Sequence, residues 1–197
     1  LYEPTEGRIL LDGDDLREYD PEELRRRIGI IFQDFIRYQM SAATNIAIGE
    51  IQAHDDLMRI DAAAERSLAK SVIEKLPHRY TQMIGRKFAN GVELSGGEWQ
   101  KIALARAYMR EADLLILDEP TAALDARAEY EVFQRFAELT KGKTAVLISH
   151  RFSTVRMADR ILVMEKGELL EIGSHQELLR KNGRYAELFA LQAKGYQ

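Results

Sequence analysis

A chain of 197 residues with 46% hydrophobic residues can bury a proper core and reads as one domain with room for an inserted subdomain, which excludes a disordered or fibrous protein. The 28 Lys and Arg against 32 Asp and Glu leave a net charge of −4, so electrostatics give no reason to expect tight nucleic-acid binding. With no cysteine, disulfides, zinc–thiolate sites and cysteine nucleophiles are excluded, and a reducing compartment fits.

The chain opens at Leu1 without an initiator Met, and no basic segment leads into an apolar one, so no signal peptide is visible. Tyr2 to Gly7 looks like a loop entered from something upstream, and the chain is expected to start partway through a domain. Gly7 to Gly13 has the punctuation of a short strand followed by a turn. The run Arg25-Arg26-Arg27 is read as a solvated helix face.

Three short runs, Ile28 to Phe32, Leu114 to Leu117 and Ala145 to Ile148, are nearly continuously hydrophobic. That pattern suits strands covered on both faces in a parallel α/β sheet, and the runs are far too short to cross a bilayer. Residues 34 to 112 are mostly helical in pattern and carry no convincing strand. Within them Asp61 to Lys70 is rich in good helix formers. The expected organisation is therefore an α/β core over 1–33 and 113–197, with a helical subdomain over 34–112 inserted into it. A crossover helix is predicted at 126 to 140 and another helix near 175 to 193. Arg160 to Glu165, Lys166-Gly167 and Glu168 to Ile172 read as a hairpin.

Each apolar strand is followed closely by a polar group: Gln33 after the first, Asp118 and Glu119 after the second, His150 after the third. Ligands of open α/β sheets bind beyond the carboxyl ends of the strands, so these four can converge on one site. Asp118-Glu119 can merely cap the next helix or pair with a surface Arg. As a functional pair the two divide the labour of phosphoryl transfer, one holding Mg²⁺ and the other handling the attacking water. At a strand end, His150 can hydrogen-bond a terminal phosphate, whereas His54, His78 and His175 sit in polar surroundings and receive no role.

Ser95-Gly96-Gly97-Glu98 opens a strong helical segment and supports two readings. One is a capping box, with Ser95 capping the helix and Glu98 reaching back to the cap. That leaves the glycines unexplained, since each costs about 1 kcal/mol relative to Ala in a helix. The other is an anion site, a helix N-terminus with bare N–H groups open to a phosphate.

Together these pieces resemble the ATP-binding-cassette (ABC) family over essentially the whole chain. Leu94 to Glu98 resembles its signature motif, and Leu114 to Pro120 its Walker B strand with the adjacent catalytic glutamate. Ala122-Ala123-Leu124-Asp125 is similar to the D-loop, Phe32-Gln33-Asp34 to the Q-loop and Ser149-His150-Arg151 to the switch histidine. Arg151 to Arg156, Ala158 to Leu162 and Gly173 to Leu178 further resemble the exporter branch.

The resemblance implies a P-loop NTPase-like parallel sheet core, incomplete at its N-terminus, carrying the helical subdomain. It implies Glu119 and His150 as catalytic residues, Asp118 and Gln33 at Mg²⁺, and Gln33, Ser95, Gly96, Gly97 and Asp125 at ATP. The implied partners are a second such ATPase domain, identical or not, and a transmembrane domain, at the cytoplasmic face of the cell membrane. Two ATP molecules would lie between the subunits, each between the phosphate loop and Walker B of one subunit and the signature motif of the other.

The family's Walker A loop, G-x-x-x-x-G-K-[ST], should precede Tyr2 and occurs nowhere in the 197 residues. Smaller departures are Glu98 where Gln is common, Ala122 where Ser is common, and Arg86-Lys87 after Gly85 where exporters often place Glu. The competing expectations are a non-transport ABC ATPase acting on nucleic acid or the ribosome, disfavoured by the short helical stretch and acidic balance, and a non-catalytic regulatory cassette, disfavoured by Glu119 and His150.

Overall fold

The computed structural model describes residues 3–120 and 126–194, which divide into two compact units, Leu1–Val146 and Leu147–Gln197. In the first unit β1 (Leu10–Leu11) and β2 (Asp14–Asp15) form a minimal antiparallel hairpin. Its turn is Asp12-Gly13, with φ of 55° and 99°, the left-handed pair whose twist suits a two-residue hairpin. In α1 (Pro21–Arg27) the Asp20 side chain accepts from the N–H groups of Glu22 and Glu23, and Pro21 occupies the first turn. The helix ends in Arg25, Arg26 and Arg27, but only the first two are exposed. Arg27 corrects the expectation of a solvated face: its Nε donates to Asp113 at 2.9 Å and its Nη2 to Asp12 at 2.6 Å, tying α1 to the hairpin turn and to the next strand.

After β3 (Ile28–Ile31) come α2 (Ala42–Ala47), α3 (Leu57–Arg66), α4 (Lys70–Ile73) and α5 (Gly96–Met109). The helix predicted at Asp61 to Lys70 instead begins at Leu57 and breaks at Leu68, whose φ is 65°. Residues 34 to 112 also hold two isolated β-bridges, Ser41 with Met83 and Ile84 with Val92. Helix α5 is apolar on nearly every side and accordingly buried on nearly every side, from Trp99 to Met109, with α2 and α3 packed against it. Gly49, just past α2, lies so close to α5 that a Cβ there would collide with the carbonyl oxygen of Arg106.

Next come β4 (Leu114–Asp118), α6 (Ala126–Leu139) and β5 (Thr144–Ile148), whose last two residues fall in the second unit, and the strand order is β3-β4-β5. Strands β3 and β4 are parallel, with Gly29 opposite Leu115 and Ile31 opposite Leu117. These four are buried and share one face. The expectation of cover on both faces does not hold: Ile30, on the opposite face, is 40% exposed, and in β5 Val146 and Ile148 are 46% and 50% exposed.

The second unit contains α7 (Phe152–Val155), the hairpin β6 (Ile161–Glu165) and β7 (Glu168–Gly173), α8 (His175–Lys181) and α9 (Arg184–Lys194). Lys166-Gly167 makes the predicted hairpin turn with φ of 52° and 82°. The helix predicted near 175 to 193 is two helices, because Asn182 adopts the left-handed conformation and ends α8. Ile161, Leu178 and Tyr185 form the core, with Phe152 edge-on to Tyr185 at 5.2 Å. Among the described residues no helix is long and apolar enough to cross a membrane.

Candidate functional site

Because Ile31 pairs with Leu117 in a parallel register, β3 and β4 finish side by side. Gln33 sits in the turn two residues past Ile31, while Asp118 is the last residue of β4 and Glu119 the first beyond it. The register thus brings Gln33, Asp118 and Glu119 to one sheet edge, with Gln33 exposed and the two carboxylates half-buried. Glu119 has a φ of 44°, in the left-handed region that costs a non-glycine residue about 1–3 kcal/mol. The chain therefore abandons strand geometry immediately after Asp118, so strand alternation does not dictate the placement of Glu119. Buried Pro120 then ends any continuation of the ladder.

The Asp118 carboxylate and the Gln33 amide oxygen are hard oxygen donors, the chemistry Mg²⁺ selects. Among the described residues no group of three or more His, Cys, Asp or Glu is arranged to hold a metal.

At the start of α5 both halves of the capping box are formed. The Ser95 N–H and hydroxyl each donate to Glu98 Oε2 at 2.8 Å, and the Glu98 N–H reaches Ser95 Oγ at 3.4 Å. Ser95 is exposed and both glycines are partly so. The box engages Ser95 and Glu98 and leaves the N–H groups of Gly96 and Gly97, the first of the helix, without i−4 acceptors. The capping reading is therefore present, and it does not consume the groups on which the anion reading depends. It does place a carboxylate beside them.

Behind that helix start lies a network with no sequence signal. Arg106 of α5 donates to the backbone carbonyls of Asn45 and Ile36 at 2.9 and 2.7 Å and stacks on Tyr38 at 5.0 Å. Burial pulls its pKa down to about 10, partly opposed by Tyr38. No spacing of charges announces this, because all its hydrogen-bond acceptors are neutral.

His150 belongs to the second unit, two residues past the end of β5, and is exposed. Its backbone carbonyl accepts from Gln192 Nε2 at 3.1 Å, and the following N–H, of Arg151, bonds Ser149 Oγ at 3.0 Å. The first unit thus gathers Gln33, Asp118 and Glu119 on one edge and presents Ser95, Gly96 and Gly97 at a capped helix start. Asp125, with Ala122, Ala123 and Leu124, lies outside the described residues.

Residues 1–122 match the family described as ABC transporter. The chain is 44% identical over 191 residues to the ATP-dependent lipid A-core flippase of Alcanivorax borkumensis, covering 97% of this chain and 32% of that protein. It is 42% identical over 188 residues to the subtilin transport ATP-binding protein SpaT of Bacillus subtilis, covering 95% and 31%. Among solved structures it resembles a bacterial Atm1-family ABC exporter with ATP bound, with a TM-score of 0.89 at 39% identity over 98% of this chain and 33% of the other. The chain thus spans about a third of the length of the curated relatives it matches.

Proposed function

This chain belongs to the ABC transporter family, and from that premise we propose that it is the ATP-binding and ATP-hydrolysing motor segment of an exporter. The observation that supports the reading is the parallel register that ends β3 and β4 side by side, with Gln33 a short way past one end and Asp118 and Glu119 at the other. The names of the relatives, a lipid flippase and a peptide-transport protein among them, support an exporter over an ATPase acting on nucleic acid or the ribosome.

In this reading Glu119 accepts a proton from water as the water oxygen forms a bond to the γ-phosphorus of ATP. The bond from that phosphorus to the β–γ bridging oxygen breaks, and ADP leaves with the electron pair. Asp118 and Gln33 would hold Mg²⁺, which would neutralise charge on the phosphates. His150 donates a hydrogen bond to the γ-phosphate. The N–H groups of Gly96 and Gly97, with the hydroxyl of Ser95, meet the γ-phosphate of a nucleotide held by a second ATPase domain. Asp125 belongs to the same dimer contact.

The helical stretch 34–112, inserted between core segments 1–33 and 113–197, carries the signature toward that partner. A transmembrane domain receives the resulting motion, with this segment at the cytoplasmic face of the membrane. The test is phosphate release. A protein that joins this chain to a Walker A loop hydrolyses ATP in Mg²⁺, whereas the 197 residues alone, which contain no such motif, do not. Turnover by the 197-residue chain itself, or none by the joined protein, overturns the reading.

A further inference from the structure

Helix α5 is 14 residues long, so its C-terminal end lies roughly 20 Å from Ser95. There, beside the start of β4 and away from the edge that carries Asp118, is a cavity of about 310 Å³. Its wall carries Arg59, Arg66, Arg110, Lys141 and Lys143, contributed by α3, the end of α5 and the turn between α6 and β5. Two carboxylates share the wall, Glu111 and Glu138, and Glu138 already pairs with Arg135 at 3.0 Å. A surplus of cations is thus gathered around one concavity in a chain whose net charge is −4. Five cations against two carboxylates leave a net positive wall, whose like charges repel one another.

Two of the five have structural partners. Arg59 Nη2 donates to the Met109 carbonyl at 2.6 Å, closing the end of α5, and the Arg66 guanidinium lies 4.9 Å from the centre of the Tyr108 ring. Neither contact cancels a charge. Arg110 is in a different position: its Nε is buried and has no hydrogen-bond partner among the described residues. A buried N–H without an acceptor is rare in a native fold, and other atoms of the same residue line the cavity. Arginine's planar fork suits phosphate, lysines add point charge, and buried Tyr108 and Leu139 give the cavity an apolar lining. The volume falls at the small end of ligand sites.

We propose that this cavity binds a small phosphate-bearing anion. The site is independent of the sheet edge, whatever reaction takes place there. Its phosphate comes either from a free anion or from a lipid headgroup, and two arms of one experiment separate these sources. In the first, inorganic pyrophosphate is titrated calorimetrically into the protein containing this chain, with excess ADP present throughout to fill any nucleotide site. In the second, the same protein is floated with phosphatidylglycerol or phosphatidylcholine vesicles.

Lys141 and Lys143 lie in a surface turn, so Lys141→Glu with Lys143→Glu leaves the fold intact. That pair weakens pyrophosphate binding by about tenfold or more, while the same charge change at exposed Lys75 and Lys87 does not. Arg110→Gln weakens it as well. If only phosphatidylglycerol flotation responds to the Lys141 and Lys143 pair, the site is assigned to a headgroup. No saturable binding in either arm, or equal loss in the Lys75 and Lys87 control, overturns the proposal.

Discussion

Arg106 on α5 holds Asn45 on α2 at two points, donating from Nη2 to the side-chain oxygen at 2.8 Å and from Nε to the backbone carbonyl at 2.9 Å. Asn45 is fully buried, and its own amide nitrogen reaches the carbonyl oxygens of Tyr38, Met40 and Ser41. Removing the guanidinium leaves those acceptors dry, so Arg106→Ala is expected to destabilise the fold by about 3 kcal/mol. Arg106→Lys keeps the charge without the fork and recovers less than half of that. Denaturant unfolding of the three proteins checks it, and equal stability of Ala and wild type refutes it.

Asp61 gives a pH-dependent case. The Tyr80 hydroxyl donates to it at 2.6 Å and Lys70 Nζ at 2.9 Å, and these two bonds hold its carboxyl below the ordinary 3.8. A carboxylate whose pKa is lowered by folding stabilises the fold above its unfolded pKa and loses that contribution as pH falls through the lowered value. Tyr80→Phe should therefore cost roughly 0.5–1 kcal/mol at neutral pH, a figure kept small by solvent screening. The gap between variant and wild type closes below pH 3.8. Thermal melts at neutral and strongly acid pH measure both; a gap of constant size throughout contradicts the account.

Gly97→Asp, made in the full-length protein, puts a carboxylate among the first N–H groups of α5, where Glu98 already contributes one. Hydrolysis is expected to fall by at least about 10²-fold, while nucleotide binding to the monomer stays nearly unchanged. Equal loss of both would show that this helix start binds nucleotide within its own chain.

For Glu119→Gln in the full-length protein, losing a positioned base should cost about 10²- to 10⁴-fold in turnover and spare ATP binding. The variant should accumulate as an ATP-bound dimer, visible by light scattering in Mg-ATP. Asp118→Asn should instead raise the Mg²⁺ requirement. Near-normal phosphate release by Glu119→Gln would move the base elsewhere, with His150 the next candidate.

What the sequence made legible was whatever depends on local pattern. The apolar runs at Ile28, Leu114 and Ala145 became strands within a residue of their predicted bounds, Lys166-Gly167 made its turn, and Ser95 and Glu98 formed their box. Asn182-Gly183 is a readable stop signal, masked by the apolar pattern that continues across it. Leu68 is not readable at all, since a leucine has no preference of its own for the left-handed region. Long-range pairings such as Arg27 with Asp113, or Arg106 with Asn45, join residues whose separation carries no periodicity. The cover on β3 and β5 escaped for a similar reason, because a strand's own residues do not specify what packs over them.

The bare backbone of Gly49 against the Arg106 carbonyl has a mechanical consequence. Main chain meets main chain at this one point just past α2, so no side chain there can rearrange to make room. A methyl group there acts as a shim: Gly49→Ala must move the segment after α2 away from the α5 main chain.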